Sequence, residues 1–371
     1  MRTIPFFNYP ALYHRYEADF DRIFKDVCSR GAFILQKDLE QFETHLAKFL
    51  NCGTALGVAD GTNAMIIGLK ACNIGAGDEV IIASHTYIAT AAAIKLVGAE
   101  PVFADIGSDF MMSVASAAAK VTPRTKAIMP TQLNGRCCNM DEIAALADKH
   151  GLMVLEDSAQ GLGARFKGKA AGTFGRFGTL SFYPAKLMGC FGDGGAVMTS
   201  EPEIAEKLTL LRDHGRNDDG DVVDWGTNSR LDNLQAAFLD FRLATFDEDM
   251  TRRRQIAARY EAGFASHEML FLPQGPSDGD HFDVYQNYEM AAEDREGLRD
   301  WLQDKGVRTI IQWAGSPVHH FEKLGYGQEK FDDLDKTDWF FDRCLMLPMH
   351  MALSDDDVDY IIEQVLGYYA Q

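Results

Sequence analysis

Between about residues 55 and 200, short apolar runs rich in β-branched residues alternate with segments of helical pattern. The apolar runs that we interpret as strands are 80–84, 101–105, 126–130, 152–157, 179–184 and 195–200. The helical segments between them include 63–72, 89–98 and 140–151. Near-continuous apolar strands that alternate with helices predict a mostly parallel sheet covered on both faces. The fold class is therefore α/β, and in such sheets ligands bind at the carboxyl ends of the strands.

The pattern changes after residue 230. One long helical region covers 230–264, with a kink predicted near 246–249, and a break rich in Gly, Pro and Asp follows at 272–280. We therefore expect a large domain over 1–245 and a small C-terminal α+β domain over 246–371. The predicted elements of the small domain are a strand at 285–290, a helix at 295–306 and a short strand at 307–313.

The charge and composition exclude several classes of partner. A net charge of −19 argues against nucleic acids and anionic membrane surfaces. No stretch reaches the roughly 18 apolar residues of a membrane span, and the N-terminus lacks a signal-peptide pattern. The seven cysteines include no CxxC pair, so we expect reduced thiols, a cytoplasmic protein and no metal site. Any phosphate site must be built locally, from backbone N–H groups and helix N-termini.

Two charged residues follow predicted strands. Lys186 lies in a Gly-rich loop after strand 179–184, where desolvation or cationic neighbours would lower its pKa and make it a nucleophile. Asp157 ends strand 152–157, where a carboxylate could keep the pyridine nitrogen of pyridoxal phosphate (PLP) protonated. Each also has an ordinary interpretation: a lysine in a Gly-rich loop is usually a solvated surface group, and Asp157 could be a helix N-cap.

Two further segments could contact such a cofactor. Gly61 and Thr62 open a predicted helix after a short strand, and a helix N-terminus can bind a phosphate monoester. Many helices begin with Gly-Thr for capping alone. At the end of strand 80–84, Tyr87 or else His85 could stack on a flat heteroaromatic ring, although an aromatic residue there most often packs in the core.

In this order and spacing the segments resemble the DegT/DnrJ/EryC1/StrS aminotransferases, the sugar-aminotransferase branch of the fold type I PLP enzymes. The resemblance extends from residues 31–50 to 347–350. It is densest in DGTNA (60–64), EDSAQGLGARFKGKAAGTFG (156–175), SFYPAKLMGCFGDGGAV (181–197) and NSRLDNLQAAFL (228–239). It implies a large PLP-binding domain with a mostly parallel central sheet flanked by helices, and a small C-terminal domain.

The resemblance also implies roles for single residues. Lys186 would carry PLP as a Schiff base and move protons, and Asp157 would pair with the pyridinium nitrogen. The implied cofactor contacts are Gln160 at the ring hydroxyl, Tyr87 stacked on the ring, Gly61, Thr62 and Ser181 at the phosphate, and Asn228 at the phosphate of the neighbouring subunit's cofactor. A contact from Asn228 across subunits implies a homodimer with shared active sites, whereas Asn228 could also cap the helix that follows it.

The implied reaction moves an amino group from L-glutamate, less often L-glutamine, to a nucleotide-linked ketosugar, with PLP cycling through its pyridoxamine (PMP) form. Relatives with NSRLD resemble C3 aminotransferases, which predicts a 3-oxo-6-deoxy sugar for a surface polysaccharide or glycoside. A 4-oxo sugar nucleotide and a non-nucleotide ketosugar or cyclitol stay open as alternative acceptors. Outside this activity, Lys186 disfavours a dehydratase, and Lys186, Asp157 and Gln160 together disfavour a non-catalytic regulator. A nicotinamide-binding protein is disfavoured because GxGxxG is missing after the first strand.

Two segments depart from the family pattern. The first is Leu133–Arg136, in which Arg136 could contact a phosphate or carboxylate or could simply be exposed. The second is 312–321, in which His319 or His320 could contact the substrate or lie at the surface. The basic run 252–254 could meet a diphosphate at a dimer interface, but acidic residues before and after it favour a solvated helix face.

Overall fold

A computed structural model describes residues 2–275 and 279–371, so residues 276–278 of the predicted break at 272–280 lie outside the described residues. Among the described helices, none combines the length and the apolar composition that crossing a membrane requires. The strands are β1 Thr54–Val58, β2 Glu79–Ala83, β3 Glu100–Ala104, β4 Thr125–Ile128, β5 Met153–Val154, β6 Glu156–Asp157, β7 Arg165–Phe166, β8 Lys169–Ala170, β9 Gly178–Ser181, β10 Gly195–Thr199, β11 Leu270–Phe271, β12 His281–Phe282, β13 Tyr288–Ala292 and β14 Cys344–Leu347. The helices are α1 Tyr9–Arg15, α2 Glu17–Arg30, α3 Lys37–Leu50, α4 Gly61–Ala71, α5 Ile88–Leu96, α6 Val114–Ala119, α7 Met140–His150, α8 Pro202–Arg212, α9 Asn233–Ala244, α10 Phe246–Phe264, α11 Arg295–Asp304, α12 Asp335–Phe341 and α13 Asp355–Tyr369.

The strands of the large central sheet run in the order β3-β2-β4-β5/β6-β9-β10-β1. The pieces β5 and β6 together form the predicted strand 152–157, because the N–H of Leu155 between them still donates to the carbonyl of Ile128 at 3.0 Å. A parallel bridge from Thr131 to Asp157 joins the two halves of the sheet. The pairs β2/β3, β2/β4, β4/β5 and β6/β9 are parallel. The predicted mostly parallel sheet is confirmed.

Strand β10 departs from the parallel arrangement, since it is antiparallel to both β9 and β1. The connection from β9 to β10 covers residues 182–194 and contains turns but no helix. A parallel return needs a crossover, usually a helix, whereas a chain that turns back directly pairs antiparallel. The loop that carries Lys186 is this direct connection, so it lies at the strand end instead of crossing a sheet face.

Both faces of the sheet are buried, as its apolar strands predict. In β2, Ile81 and Ala83 join one buried cluster while Val80 and Ile82 join the other, because side chains alternate across a strand. One face packs on α3, α7 and α9, through residues that include Phe42, Ile143 and Leu239. The other packs on α4, α5 and α8, through residues that include Ile67, Ile94 and Leu208.

A third buried cluster lies in the C-terminal part. It joins α10, α11 and α13 to the sheet β11-β13-β14 through residues that include Tyr260, Tyr288, Leu298 and Ile361. Ile4 belongs to this cluster and bridges Val307, so the N-terminal segment packs on the C-terminal unit. The division at 245/246 stays a prediction.

Two local predictions are wrong. The segment 307–313 is not a strand: it makes isolated bridges at Val307 and Ile310 and then enters a 3-10 turn, Gln312–Gly315. The run 252–254 is not a solvated face, because Arg253 is 8% exposed and its Nη1 donates to the carbonyls of Tyr285, Gln286 and Met349. Arg253 lies on the face of α10 that packs on the C-terminal unit. Its guanidinium there donates to carbonyls outside the strands β13 and β14. The predicted kink in 230–264 is present at Thr245, between α9 and α10.

Candidate active site

Lys186 lies in a turn at the carboxyl end of β9, where its backbone N–H donates to the carbonyl of Tyr183 at 2.8 Å. The side chain is partly buried. Burial lowers the pKa of its amine from 10.5 to about 8, because the low-dielectric surroundings disfavour the charged form, and the Asp157 carboxylate opposes that shift. Desolvation thus accounts for the lowered pKa, and the cationic neighbours considered in the sequence are not among its causes. The interaction with Asp157 places the two groups in one site.

Asp157 is 3% exposed, and other groups fix both of its carboxylate oxygens. Oδ2 accepts from Thr90 Oγ1 at 2.6 Å, and Oδ1 accepts from the N–H of Ala159 at 3.1 Å. Thr90 in turn contacts Thr86 Oγ1 at 2.7 Å, and Thr86 contacts Thr131 Oγ1 at 2.8 Å. Residues 158–164 form turns and not a helix, so Asp157 is not a helix N-cap. Buried hydroxyls therefore hold this carboxylate in one orientation.

The neighbouring carboxylate, Glu156, points to the other face of the sheet. It is fully buried and accepts from the N–H groups of Gly172 and Gly175 at 2.8 and 2.9 Å and from Gln132 Nε2 at 2.7 Å. Burial raises its pKa, against these hydrogen bonds. Glu156 fixes the loop at 172–175, and Asp157 is the carboxylate that faces Lys186.

Gln160 is oriented by the turn Leu133–Gly135. Its side-chain Oε1 accepts from the N–H of Asn134 at 2.8 Å. Asn134 Nδ2 donates to Glu289 Oε2 at 2.6 Å, and Asn134 Oδ1 accepts from Asn287 at 2.8 Å. This turn therefore ties Gln160 to β13 of the C-terminal unit.

The N-terminus of α4 and the end of β9 lie side by side. The Asp60 side chain accepts from the N–H of Asn63 at 2.8 Å. The N–H groups of Gly61 and Thr62 lie in the first turn of α4, where an N–H has no intrahelical acceptor. A Cβ on Gly61 would lie 3.1 Å from Cβ of Ser181, so glycine permits this close approach. The three predicted phosphate ligands are thus brought together at a helix N-terminus.

The two candidate ring-stacking residues differ in exposure. Tyr87 precedes α5 and is 54% exposed, with its ring centroid 6.1 Å from that of Trp313. His85 is 2% exposed, its Nδ1 lies 3.0 Å from the carbonyl of Phe110, and it packs against aromatic rings that include Phe340. Tyr87 is therefore the residue with a free face, whereas His85 belongs to the core.

Asn228 lies on an exposed segment and forms an isolated bridge with Asp213. Helix α9 begins at Asn233 with Asp232 in the N-cap position, so Asn228 is not its cap. The same segment carries Trp225, which is 89% exposed.

The structure does not bring the three predicted substrate residues together with Lys186. Arg136 is mostly buried and forms an ion pair with Asp283 through Nη1, so it is not an exposed arginine. His319 is fully buried and His320 partly so, and both rings approach Asp338. Contact of these residues with a substrate stays a prediction.

Comparison with known proteins identifies the family. The DegT/DnrJ/EryC1/StrS aminotransferase family profile matches residues 15–366. The chain belongs to this family. It is 36% identical to dTDP-3-amino-3,4,6-trideoxy-alpha-D-glucose transaminase of Streptomyces venezuelae, over 98% of this chain and 95% of the relative. It is 34% identical to dTDP-3-amino-3,6-dideoxy-alpha-D-galactopyranose transaminase of Aneurinibacillus thermoaerophilus, over 98% of this chain and 99% of the relative.

Solved structures of the family agree with this fold. The crystal structure of S. venezuelae DesV in complex with a ketimine intermediate superimposes with a TM-score of 0.95 at 36% identity and covers all of both chains. The NtdA structure from Bacillus subtilis, with bound PMP, gives a TM-score of 0.92 at 29% identity, over 100% of this chain and 86% of that one. This DegT/DnrJ/EryC1/StrS member is a PLP-dependent aminotransferase.

The residues of this chain fit PLP. A desolvated amine, a buried carboxylate and a helix N-terminus match the aldehyde, the pyridine nitrogen and the phosphate of the cofactor. Two contributors escaped prediction from the sequence, namely Thr90 and Asn134. For Thr90 a signal exists, since it lies in the first turn of α5, directly after the strand end that leads to Tyr87. For Asn134 there is none, because its contacts come from distant segments.

Proposed function

We propose that this aminotransferase moves the amino group of L-glutamate to C3 of a nucleotide-linked 3-oxo-6-deoxy sugar. The observation that carries the proposal is the shared chemistry of the two relatives, whose names both place an amino group at C3 of a dTDP sugar that lacks oxygen at C6. The motif NSRLD at 228–232 supports the same regiochemistry. The product would enter a surface polysaccharide or a glycoside.

In this proposal Lys186 is the acid–base group. Bound PLP supplies an electron sink that stabilises negative charge at the substrate carbon. With a pKa of about 8, the Lys186 amine has a sizeable neutral fraction near neutral pH and can accept a proton from one carbon and return it to another. Asp157 would hold the proton on the ring nitrogen, and Thr90 would hold Asp157.

The positions of the remaining site residues suggest which part of the cofactor each would contact. Gly61, Thr62 and Ser181 would bind the phosphate, because their polar groups meet at the start of α4. Gln160 would donate to the ring hydroxyl through Nε2, since its Oε1 is already an acceptor for Asn134. Tyr87 would cover one face of the ring with its exposed side chain.

The proposed working unit is a homodimer in which Asn228 reaches the partner's cofactor phosphate. The segment around Asn228 supports this, because it exposes Val222, Val223 and Trp225, at 65%, 58% and 89%. Clustered exposed apolar side chains mark interaction surfaces. We also propose a cytoplasmic location, which the seven free cysteines support.

The substrate proposal is tested with a panel of 3-oxo and 4-oxo sugar nucleotides, each incubated with glutamate or glutamine and followed by mass spectrometry. We expect an aminated product and 2-oxoglutarate from the 3-oxo compounds. Amination of the 4-oxo compounds alone would move the reaction to C4. Conversion of an unlinked ketosugar or cyclitol at equal efficiency would show that the nucleotide is not recognised.

The shared site is tested by mixing two variants that the proposal expects to be inactive on their own, Lys186→Ala and Asn228→Ala. In a mixed dimer one site would hold an intact Lys186 and the partner's intact Asn228, so random mixing should restore about a quarter of the wild-type activity. A mixture no more active than its components, at a mass that shows dimers, would place Asn228 outside the partner's site.

A further inference from the structure

Three side chains that can bind a metal ion meet in the C-terminal segment whose Val318 and Leu334 pack on the central sheet, apart from the residues described around Lys186. His319 Nε2 lies 2.9 Å from Asp338 Oδ1, and His320 Nε2 lies 2.7 Å from the same oxygen. The three donor atoms all lie within 4.8 Å of one another. Two imidazole nitrogens thus converge on one carboxylate oxygen.

The buried histidine of this cluster, His319, has one ring nitrogen that no hydrogen bond satisfies. His319 is fully buried, yet its Nε2 has no hydrogen-bond partner although Asp338 Oδ1 is only 2.9 Å away. The oxygen therefore lies off the axis along which Nε2 would donate. In a tetrahedral site the ion lies on the axis of each nitrogen and the other ligands lie off it.

Neighbouring groups orient the ligands for one ion. Ser84 Oγ lies 2.7 Å from His319 Nδ1, as in metal sites where the second ring nitrogen of a histidine is held by a hydrogen bond. Gln328 Nε2 donates to Asp338 Oδ2 at 2.8 Å, which leaves Oδ1 as the single ligand oxygen. Each supporting contact comes from a different part of the chain.

We propose that His319, His320 and Asp338 bind a divalent transition metal ion, Zn²⁺ by preference. Two imidazoles and a carboxylate are ligands that Zn²⁺ takes. Tetrahedral ligands of Zn²⁺ lie about 3.3 Å apart, given bonds of about 2.0 Å, so binding requires each histidine nitrogen to move away from Asp338 Oδ1 by roughly half an ångström. A water molecule would complete the site from the open cavity of about 430 Å³ that His320, Glu322, Gln328 and Glu329 line.

The ion would fix a long irregular segment to the central sheet. Between His320 and Asp338 the chain forms 3-10 turns and only the start of α12, and Ser84 directly follows β2. An ion that joins His319, His320 and Asp338 closes this loop, and because the site forms only in the folded chain its binding free energy stabilises the fold. The role is therefore structural, and it reaches the strand end that leads to Tyr87.

Cysteine spacing, on which the expectation of no metal site rests, carries no signal for a site made of two histidines and an aspartate. The two histidines are adjacent in sequence, but Asp338 lies 18 residues beyond His320 and reaches it only through the fold.

The test uses tag-free protein that carries PLP and has been stripped of metal with a chelator. Calorimetry with Zn²⁺ and visible absorption with Co²⁺ should both give one site per chain. His320→Ala and Asp338→Asn, both at partly exposed positions, should weaken binding by more than about 10-fold, the lower end of what loss of a supporting hydrogen bond costs. Zn²⁺ should raise the Tm of the wild type and not that of these variants.

The matched control is His45→Ala. His45 Nδ1 also lies 2.7 Å from a carboxylate oxygen, Asp240 Oδ1, but within residues 2–275 and 279–371 this pair belongs to no group of three potential metal ligands. This variant should bind Zn²⁺ like the wild type, and PLP content and circular dichroism verify that each variant is folded. Absence of a Zn²⁺ heat signal and of a Co²⁺ band in the wild type, or equal binding by both site variants, would overturn the proposal.

Discussion

Thr90→Val removes the hydroxyl that holds Asp157 without changing the shape of the side chain. Thr90 is fully buried, and its Oγ1 donates to Asp157 Oδ2 at 2.6 Å. The second oxygen, Oδ1, keeps its hydrogen bond from the N–H of Ala159. The variant therefore leaves the carboxylate in place and takes away one of its two donors, which makes Thr90 a positioning residue.

The size of the effect follows from the type of bond. A hydrogen bond to a charged group contributes about 1.5–3 kcal/mol, which corresponds to roughly 10- to 150-fold in rate if the whole contribution acts in the transition state. We expect kcat to fall by that factor and PLP affinity to fall less, because the other cofactor contacts remain. The Thr86 hydroxyl contacts Thr90 and not Asp157 itself. We therefore expect Thr86→Val to lower kcat by roughly 2- to 10-fold, the range for loss of a neutral hydrogen bond.

The assay is the single-turnover rate with glutamate, measured from the absorbance of the bound cofactor, together with kcat for the full reaction. Thr209→Val is the matched control, since Thr209 is exposed and its Oγ1 donates to the carbonyl of Ala205 at 2.9 Å within its own helix. It should leave the rate unchanged. If Thr90→Val turns over like the wild type while it still binds PLP, Thr90 does not position the catalytic carboxylate.

Three further predictions concern the site and its support. Lys186→Ala should abolish both the visible absorbance of lysine-bound cofactor and all amino transfer; wild-type turnover would end the assignment of this lysine. The rate at which the cofactor-free enzyme takes up PLP should rise with pH to a plateau with a midpoint near 8, because burial lowers the Lys186 pKa to about 8 and only the neutral amine reacts; a midpoint above pH 10 would mean that the amine is solvated. Arg136→Met should lower the free energy of unfolding by about 3–5 kcal/mol, since it leaves the Asp283 carboxylate buried without its partner. In urea unfolding the exposed-pair control Lys167→Met should leave the free energy of unfolding close to that of the wild type, because solvent screens this pair, and equal losses in the two variants would refute the burial argument.

The fold could be predicted largely because its signals are local. The apolar runs that became β2, β3, β4 and β9 each show their strand character within a few residues, and their alternation with helices indicates a parallel sheet. The two wrong predictions concern segments whose structure depends on contacts with residues far away in the sequence. Residues 307–313 have strand composition but make only isolated bridges, and Arg253 is charged yet buried among carbonyls.

The site was predictable in its chemistry and less so in its geometry. Lys186, Asp157 and the start of α4 follow from residue types at strand ends, and the structure brings all of them to one edge of the sheet. The direction of Gln160 depends on Asn134, which comes from a separate turn. The sequence indicates His319 or His320 either as a substrate contact or as a surface residue, and only the structure shows that both rings approach Asp338.

The sequence by itself determined which elements form and which side chains can do chemistry, because periodicity and residue type act over a few residues of chain. Only the tertiary structure decided which of those side chains meet, which carboxylate of the Glu156–Asp157 pair faces the lysine, and how far burial shifts the amine's pKa. These depend on desolvation and on hydrogen bonds between segments far apart along the chain, and such contacts exist only once the sheet has assembled.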